Sequence, residues 1–416
     1  MKTGVMSHCA LCIAVAALLA GCGALPLSLS SGQHDMLPMG AHRSPSTSSY
    51  QILYSFGRHP NPFHDLGGAN PGGGLIDVGG TLYGTTEFGG YQDNGVVYSI
   101  TTTGSKKVLY RFRGNQNGDG AIPAGDLIYA NATFYGTTLG GRGCKTETIY
   151  SLTTGGTEKV LHNFCDSSSY GSPTGGVVDV KGTLYGTAGP NSSGIVYSVT
   201  TSGKYKVLYA FRGPPDGYQP AGNLLNVNGT LYGVTLSGGT ACQPTFYGCG
   251  TVYSITTSGK ERVLYSFQGG SDGLGPSAGL IDVNGTLYGV TAFGGGPPSS
   301  GCALGCGTAF SVSTSGKHKV LYRFAGGSDA ARPDTSLVEL NGTLYGTTAI
   351  GGAGGLGTIY SVSTSGDEQV LHSFDADGAD PEADLIALKD VLYGTTYGSG
   401  GSSGCKHCGT VFALTP

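Results

Sequence analysis

Cysteine pairs are the first place to look for chemistry in this chain of 416 residues. Eleven cysteines are present, and eight of them fall as Cys144 and Cys165, Cys242 and Cys249, Cys302 and Cys306, and Cys405 and Cys408. An even set at short spacing, in a chain that begins with an export signal, reads as local disulfides pinning glycine-rich loops. Small closed loops add modest stability, so their role is shaping. The stretch Cys405-Lys406-His407-Cys408 permits a second reading. If the chain closes on itself as argued below, the loop holding His59, His64 and Asp65 lies in the same structural unit. Cys405, Cys408, His59 and His64 would then supply two thiols and two imidazoles, a ligand set suited to zinc. The alternative is a CxxC disulfide beside solvated histidines. The order C-K-H-C is not the haem-attachment pattern.

Other candidates are weaker. Asn115 to Gly120, with Asp126 at the twelfth position, resembles the start of a calcium loop. Asn opens it, though, and the closing Glu is missing. Gly400-Gly401-Ser402-Ser403-Gly404 matches GxSxG without a strand-to-helix elbow. Asp-Gly followed by proline recurs at Asp119, Asp216, Asp272 and Asp377 and reads as turn chemistry. His162 and His372 stand where sister sequences carry Tyr, which favours packing over catalysis. Asn228, Asn284 and Asn341 match the glycosylation sequon but sit in apparent hairpin turns. No catalytic group and no cofactor is expected.

The elements that position these residues are set by repetition. GTLYGTT around Tyr83 returns with tyrosines at Tyr135, Tyr185, Tyr232, Tyr288, Tyr345 and Tyr393. A period near fifty means one small unit per copy, stacked on its neighbours. Glycine is abundant at 77 residues and charge is sparse at 12%, which suits short strands and tight turns. Each copy reads as four strands, A to D. In the fourth they are Asn223 to Val227, Thr230 to Thr235, Gly250 to Thr256 and Arg262 to Phe267, with Asn228-Gly229 as the A–B turn. Strand A is expected at Leu75–Val78, Leu127–Ala130, Val177–Val180, Leu224–Val227, Leu280–Val283, Leu337–Leu340 and Leu385–Leu388.

The seventh copy lacks a strand D, because the chain ends at Pro416. An orphan D-like strand, Ile52 to Phe56, precedes the first A. The expected fold is an all-β, seven-bladed propeller of four-stranded antiparallel blades, closed by the N-terminal strand completing the last blade. Closure removes the exposed edges of an open array. The recurring tyrosines are expected to pack between blades.

The repeated LYGTT and GTVYSI-like strings make the stretch from Gln51 to Pro416 resemble the bacterial GloVer-type tandem repeat family. The resemblance implies a repeat body. It implies no activity, since none is established for that family.

The N-terminus reads as an address. Leu11 to Ala20 is apolar and too short to span a bilayer, which fits a signal peptide. Leu19-Ala20-Gly21-Cys22 resembles the lipobox of bacterial lipoproteins, which implies cleavage before Cys22 and acylation of its thiol and amine. More than one acyl chain anchors stably. Loss of Lys2 takes the net charge from −4 to −5. Gly23 rather than Asp follows the cysteine, which points to the outer membrane in a Gram-negative host. The expected domains are 1–21 signal, 22–49 flexible tether and 50–416 propeller.

No Lys/Arg run suggests nucleic acid. The A–B and C–D turns are uniform, while the B–C loops vary in length. Binding on a rigid scaffold belongs to its variable loops. The expected function is a membrane-anchored envelope module, read as a monomer, that binds a glycan, peptide or partner protein on its B–C/D–A face. Two alternatives stand: an envelope polysaccharide lyase or hydrolase, and a purely structural envelope protein. Acids lining a polar channel mouth would favour the enzyme.

Overall fold

The computed structural model describes residues 48–57, 67–114, 117–140, 146–164, 171–189, 192–240, 242, 247–298, 301–398 and 408–416. Ser48–Pro416 forms one compact unit. It is a seven-bladed β-propeller. Seven four-stranded antiparallel sheets follow one another, with no α-helix among the described residues. Blade 4 shows the plan: strand A at Gly217–Val227, B at Thr230–Gly238, C at Thr251–Thr256 and D at Glu261–Ser266.

Strand A is elsewhere only three residues long, for example Ile76–Val78 and Ile386–Leu388. The leucine expected to open it, such as Leu75 or Leu385, is buried in the blade interface just before pairing begins. Blade 4 departs the other way. Its strand A starts at Gly217 and crosses an irregularity between Ala221 and Leu225, so part of the expected loop is paired.

The ring closes as the orphan strand foretold. Ser49–Ser55 pairs antiparallel with Thr410–Thr415 and supplies strand D of blade 7. Ser48 Oγ also donates to Leu371 O of blade 6 at 3.0 Å. In the blades whose C–D turn is continuous, a turn glycine occupies that place: Gly366, at φ 112°, lies against Leu321 O.

One apolar cluster fills each of the seven blade interfaces. At the closing interface, Tyr393, Val411 and Phe56 of blade 7 meet Leu75, Leu82 and Tyr98 of blade 1. The tyrosine of strand B therefore packs between blades, as its recurrence implied. The LYGTT glycine has a separate cause. Gly186 pairs across from Tyr197 of strand C, and a Cβ there would come within 2.4 Å of Tyr197 Oη. Tyr98, Tyr150, Tyr197, Tyr253 and Tyr360 fill this slot fully buried, and Phe310 and Phe412 do so in blades 5 and 7. The slot demands an aromatic ring, and the glycine makes room for it.

Six of the seven A–B turns hold two successive left-handed residues, as at Asn228 (φ 52°) and Gly229 (φ 85°). Ala132 is the exception, at φ 59° where five sister turns place glycine. A Cβ in that region costs roughly 1–2 kcal/mol, partly offset by the entropy a glycine adds to the unfolded chain. Ala132→Gly is therefore expected to raise stability by about 0.5–1 kcal/mol, seen as a higher denaturation midpoint at unchanged slope. A lower midpoint would contradict the strain.

The recurring Asp-Gly is more than turn chemistry. Asp119 accepts from Tyr110 Oη at 2.5 Å and from the Arg113 amide. Asp216 and Asp272 accept in the same way from Tyr209 and Tyr265, and Asp329, which precedes Ala330 instead of glycine, does so from Tyr322. The strand-D tyrosine hydroxyl thus anchors the start of its own D–A loop. His372 takes over that role, with Nε2 3.0 Å from Asp377 Oδ2 and its ring stacked on Tyr50 at 3.8 Å. His162 stacks on Tyr205 at 3.7 Å. Both histidines are packing substitutions.

Candidate binding face and axial channel

Three residues after each D–A proline the chain reaches the propeller axis. The seven axial positions are Gly74, Asp126, Gly176, Asn223, Gly279, Ser336 and Asp384. Hydrogen bonds link six of them, three between adjacent blades and one from blade 4 to blade 2. Gly74 N donates to Asp126 Oδ1 at 2.5 Å, and Asn223 Nδ2 donates to Asp126 Oδ2 at 2.5 Å. Gly176 N donates to Asn223 Oδ1 at 2.7 Å, and Ser336 N to Asp384 Oδ1 at 2.6 Å. Asp384 and Asp126 lie near enough at the axis for the charge of one to act on the other. Burial and then the charge of Asp126 hold the Asp384 carboxyl up at about 7, and burial raises Asp126 as well. Asp126 is bonded at the axis and Asp119 to Tyr110, while Asn115 and Gln116 of the calcium-like string lie outside the described residues. No group of three or more His, Cys, Asp or Glu suited to a metal occurs among the described residues.

Beside this ring lies a cavity of about 360 Å³ within the strand-A walls of blades 4 to 7. Asn223, Ser336 and Asp384 line its end at the ring, and Asp282 and Glu339 lie toward the A–B turns. This space is axial, beneath the loop face.

On the loop side of the ring, the residue after the D–A proline carries the variation. Asp334 in blade 6 and Glu382 in blade 7 take this position. Glu87 joins them from the end of strand B in blade 1, accepting from Tyr397 Oη at 3.1 Å. Burial, then the charges of Asp334, Glu87 and Asp380, push Glu382 up to about 8. Burial raises Asp334 to about 6 against the pull of Arg332, whose Nη2 lies 3.4 Å from Asp334 Oδ2. This acidic mouth was not foreseen from the sequence. Its signal was the column after each D–A proline, where five blades have Gly, Ala, Ser or Thr and two have an acid.

Further out, Tyr247 of the blade 4 B–C loop is 63% exposed and stacks on Tyr218 of the D–A segment, with centroids 5.6 Å apart. The Cys242–Cys249 disulfide closes that loop, and Cys302–Cys306 closes the matching loop of blade 5. Tyr91 and Leu304, the other exposed large apolar residues of the B–C loops, share this face.

The repeat can now be placed. Residues 42–247 and 239–416 match, in two successive stretches, the model of the Gloeobacter/Verrucomicrobia repeat. The chain belongs to this family. No curated protein matches it. Among solved structures it is similar to a puromycin hydrolase S511A mutant complexed with PGG, at 13% identity over 83% of this chain and 53% of that one, with a TM-score of 0.50. It is also similar to a gluconolactonase of Xanthomonas campestris, at 15% identity over 68% and 82%, with a TM-score of 0.38. The tricorn protease is matched at 13% identity over 78% of this chain, with a TM-score of 0.42. The chain spans about a quarter of the tricorn protease and about half of the puromycin hydrolase. At such identities the likeness is one of fold.

Within this Gloeobacter/Verrucomicrobia repeat body the remaining sequence candidates separate. Cys408 is disulfide-bonded and buried. Cys144, Cys165, Cys405, His59, His64, Asp65 and the Gly400–Gly404 string lie outside the described residues, as do Cys22 and the whole N-terminal address. Asn228, Asn284 and Asn341 occupy A–B turns at positive φ.

Proposed function

We propose that the protein is a lipid-anchored cell-envelope binding module that presents its B–C/D–A face to a glycan, peptide or partner protein. The observation that carries this reading is the sorting of side chains. Among the described residues, three of the four exposed large apolar side chains, Tyr247, Tyr91 and Leu304, and the acids Glu87, Asp334 and Glu382 gather on that one face, with Tyr129 on strand A the exception. Disulfides shape two of its loops. The chain enters the body at Ser48, beside the C–D turns.

The test is glycan and peptide array binding by the Ser48–Pro416 body. One ligand class should be retained, and Tyr247→Ala should weaken it roughly tenfold with no change in melting temperature, the scale expected for an exposed aromatic anchor. Absence of binding across both arrays would defeat the reading.

A second reading is favoured by one observation. Glu382, raised to about 8, stays protonated near neutrality close to Asp334, raised only to about 6. Carboxyls pushed apart in this way suit an acid and a base in polysaccharide cleavage. Turnover of an envelope polysaccharide that disappears in Glu382→Gln would establish the enzyme in place of the binder.

A further inference from the structure

The cations of the body are not spread evenly around the ring. Strand D carries one exposed side chain at the same register in every blade. In blades 1 to 5 it is Lys107, Lys159, Lys206, Arg262 and Lys319, and in blades 6 and 7 it is Gln369 and Gln51. Three blades add a second exposed cation two residues earlier, at the end of the C–D turn: Lys204, Lys260 and Lys317. The amides of these lysines donate to the hydroxyls of Thr200, Thr256 and Ser313 at 3.0 Å, so the three turns hold them alike. Arg262 Nη2 donates to Ser315 O of the next turn at 3.2 Å and ties blade 4 to blade 5. Blades 3, 4 and 5 therefore present three pairs of exposed cations along one stretch of the turn edge.

Charged side chains on an outer strand also keep it from pairing with another chain. That role does not produce this pattern. The outer strands of blades 6 and 7 are edges too, and they carry glutamine. Lys204, Lys260 and Lys317 precede their strands, which begin at Tyr205, Glu261 and His318, so they guard no ladder. In blade 6 the matching turn residue is the acid Asp367, which accepts from Ser365 Oγ at 2.9 Å. Blade 1 has Lys106 nearby, but its ammonium lies over the rings of Tyr54 and Phe56, at 5.1 and 5.2 Å. Within blades 3 to 5, Glu261 is half-buried and faces Asp216, while Asp179 and Asp282 stand on strand A toward the axis. The D–A aspartates lie at the far end of the D strands. In a chain of net charge −4, the bases thus collect on one edge.

We propose that the turn edge of blades 3 to 5 is a docking surface for an anionic lipid bilayer. The three pairs sit on turns of one construction and share one level. Long, flexible cations on a level edge match a plane of anionic headgroups, and each such cation multiplies partitioning by about fivefold. A six-residue strand is roughly 20 Å long, while charges are screened over about 8 Å at physiological salt. The acids at the loop end therefore oppose the contact little. Docking at the turn edge leaves the B–C and D–A loops, at the other end of the same strands, clear. It needs neither acylation at Cys22 nor a ligand on the loop face.

The test is co-sedimentation of the Ser48–Pro416 body, which contains all seven blades and the closing strand. Vesicles of phosphatidylcholine with roughly 30% phosphatidylglycerol should retain it at least about tenfold better than pure phosphatidylcholine. The difference should hold at about 0.1 M salt and collapse at about 0.5 M. A variant with Lys204→Gln, Lys206→Gln, Lys260→Gln, Arg262→Gln, Lys317→Gln and Lys319→Gln should fall to the phosphatidylcholine level. Arg111→Gln, Arg113→Gln, Arg212→Gln and Arg323→Gln together, at the loop end of strand D, should leave retention within about twofold. Equal losses in the two variants would reduce the effect to net charge and overturn the surface. Equal retention on both vesicles would overturn it as well. Capture by dextran sulfate without capture by the anionic vesicles would assign the edge to a polyanionic glycan instead. If the six-site variant does not fold, the pairs are removed one blade at a time. Each removal should then lower retention roughly tenfold, and no loss from any pair would refute the proposal.

Discussion

A chain from which Ser48–Phe56 has been deleted is expected to lose cooperative folding. The segment looks dispensable by position, since it stands before the first repeat. In the ring it is strand D of blade 7. It supplies six paired positions against Thr410–Thr415 and places Phe56, 1% exposed, in the cluster that joins blade 7 to blade 1. Its absence leaves strand C of blade 7 as an open edge, which invites pairing between chains. Phe56→Ala alone should cost about 3–5 kcal/mol, the usual range for a buried phenylalanine. Domain stabilities are commonly 5–15 kcal/mol, so removing the strand as well should exhaust most of that margin. Circular dichroism should show a broad, low transition, and size exclusion should show aggregates. A synthetic Ser48–Phe56 peptide added during refolding should restore the transition. An unchanged, sharp melt in the deletion would mean that the ring does not depend on this closure.

Stability should also fall as pH rises from about 6 to 8.5, with the maximum on the acid side of neutrality. Three blade interfaces carry a glutamate at the start of strand D facing the D–A loop aspartate of the previous blade: Glu158 with Asp119, Glu261 with Asp216, and Glu368 with Asp329. Burial, then the aspartate's charge, pushes each glutamate up to about 7. Glu382 at about 8, Asp384 at about 7 and Asp334 at about 6 are raised for the same first reason.

The folded pKa exceeds the unfolded one in all six groups. Between those values the folded state keeps a proton that the unfolded state has released. The stability each group adds is complete below its unfolded pKa and is lost as pH climbs through its folded pKa. His318 and His372 act in the opposite direction. Burial lowers both, so they weaken the fold only on the acid side of their ordinary range. The melting temperature at constant ionic strength should therefore decline through the 6 to 8.5 window. The triple variant Glu158→Gln, Glu261→Gln, Glu368→Gln should flatten that decline. A melting temperature that rises toward pH 8.5 would show that these carboxyls are solvated.

Much of the architecture was open to reading because its causes are local. Alternation of apolar residues, Asn-Gly turns at positive φ and a fifty-residue period each depend on neighbours within a few positions. The orphan strand before the first repeat and the missing one after the last required each other. The inter-blade role of the strand-B tyrosines followed from their recurrence. The LYGTT glycine was less open, because the ring it admits, Tyr197 opposite Gly186, belongs to the next strand.

The axial ring and the acidic mouth were not legible in the same way. Asn223 and Asp126 are 97 positions apart and meet only because seven blades share an axis. No local pattern marks Asp126 as anything but a loop residue, and a calcium motif competed for it. The Asp-Gly aspartates looked like turn formers until the strand-D hydroxyls were found on them. Sequence alone determined the scaffold, its closure and the face on which variation collects, since those follow from local periodicity and repetition. Tertiary structure alone decided which polar groups converge. Their contacts are set by the ring's closure, and burial at that convergence, absent from any isolated repeat, shifts their protonation.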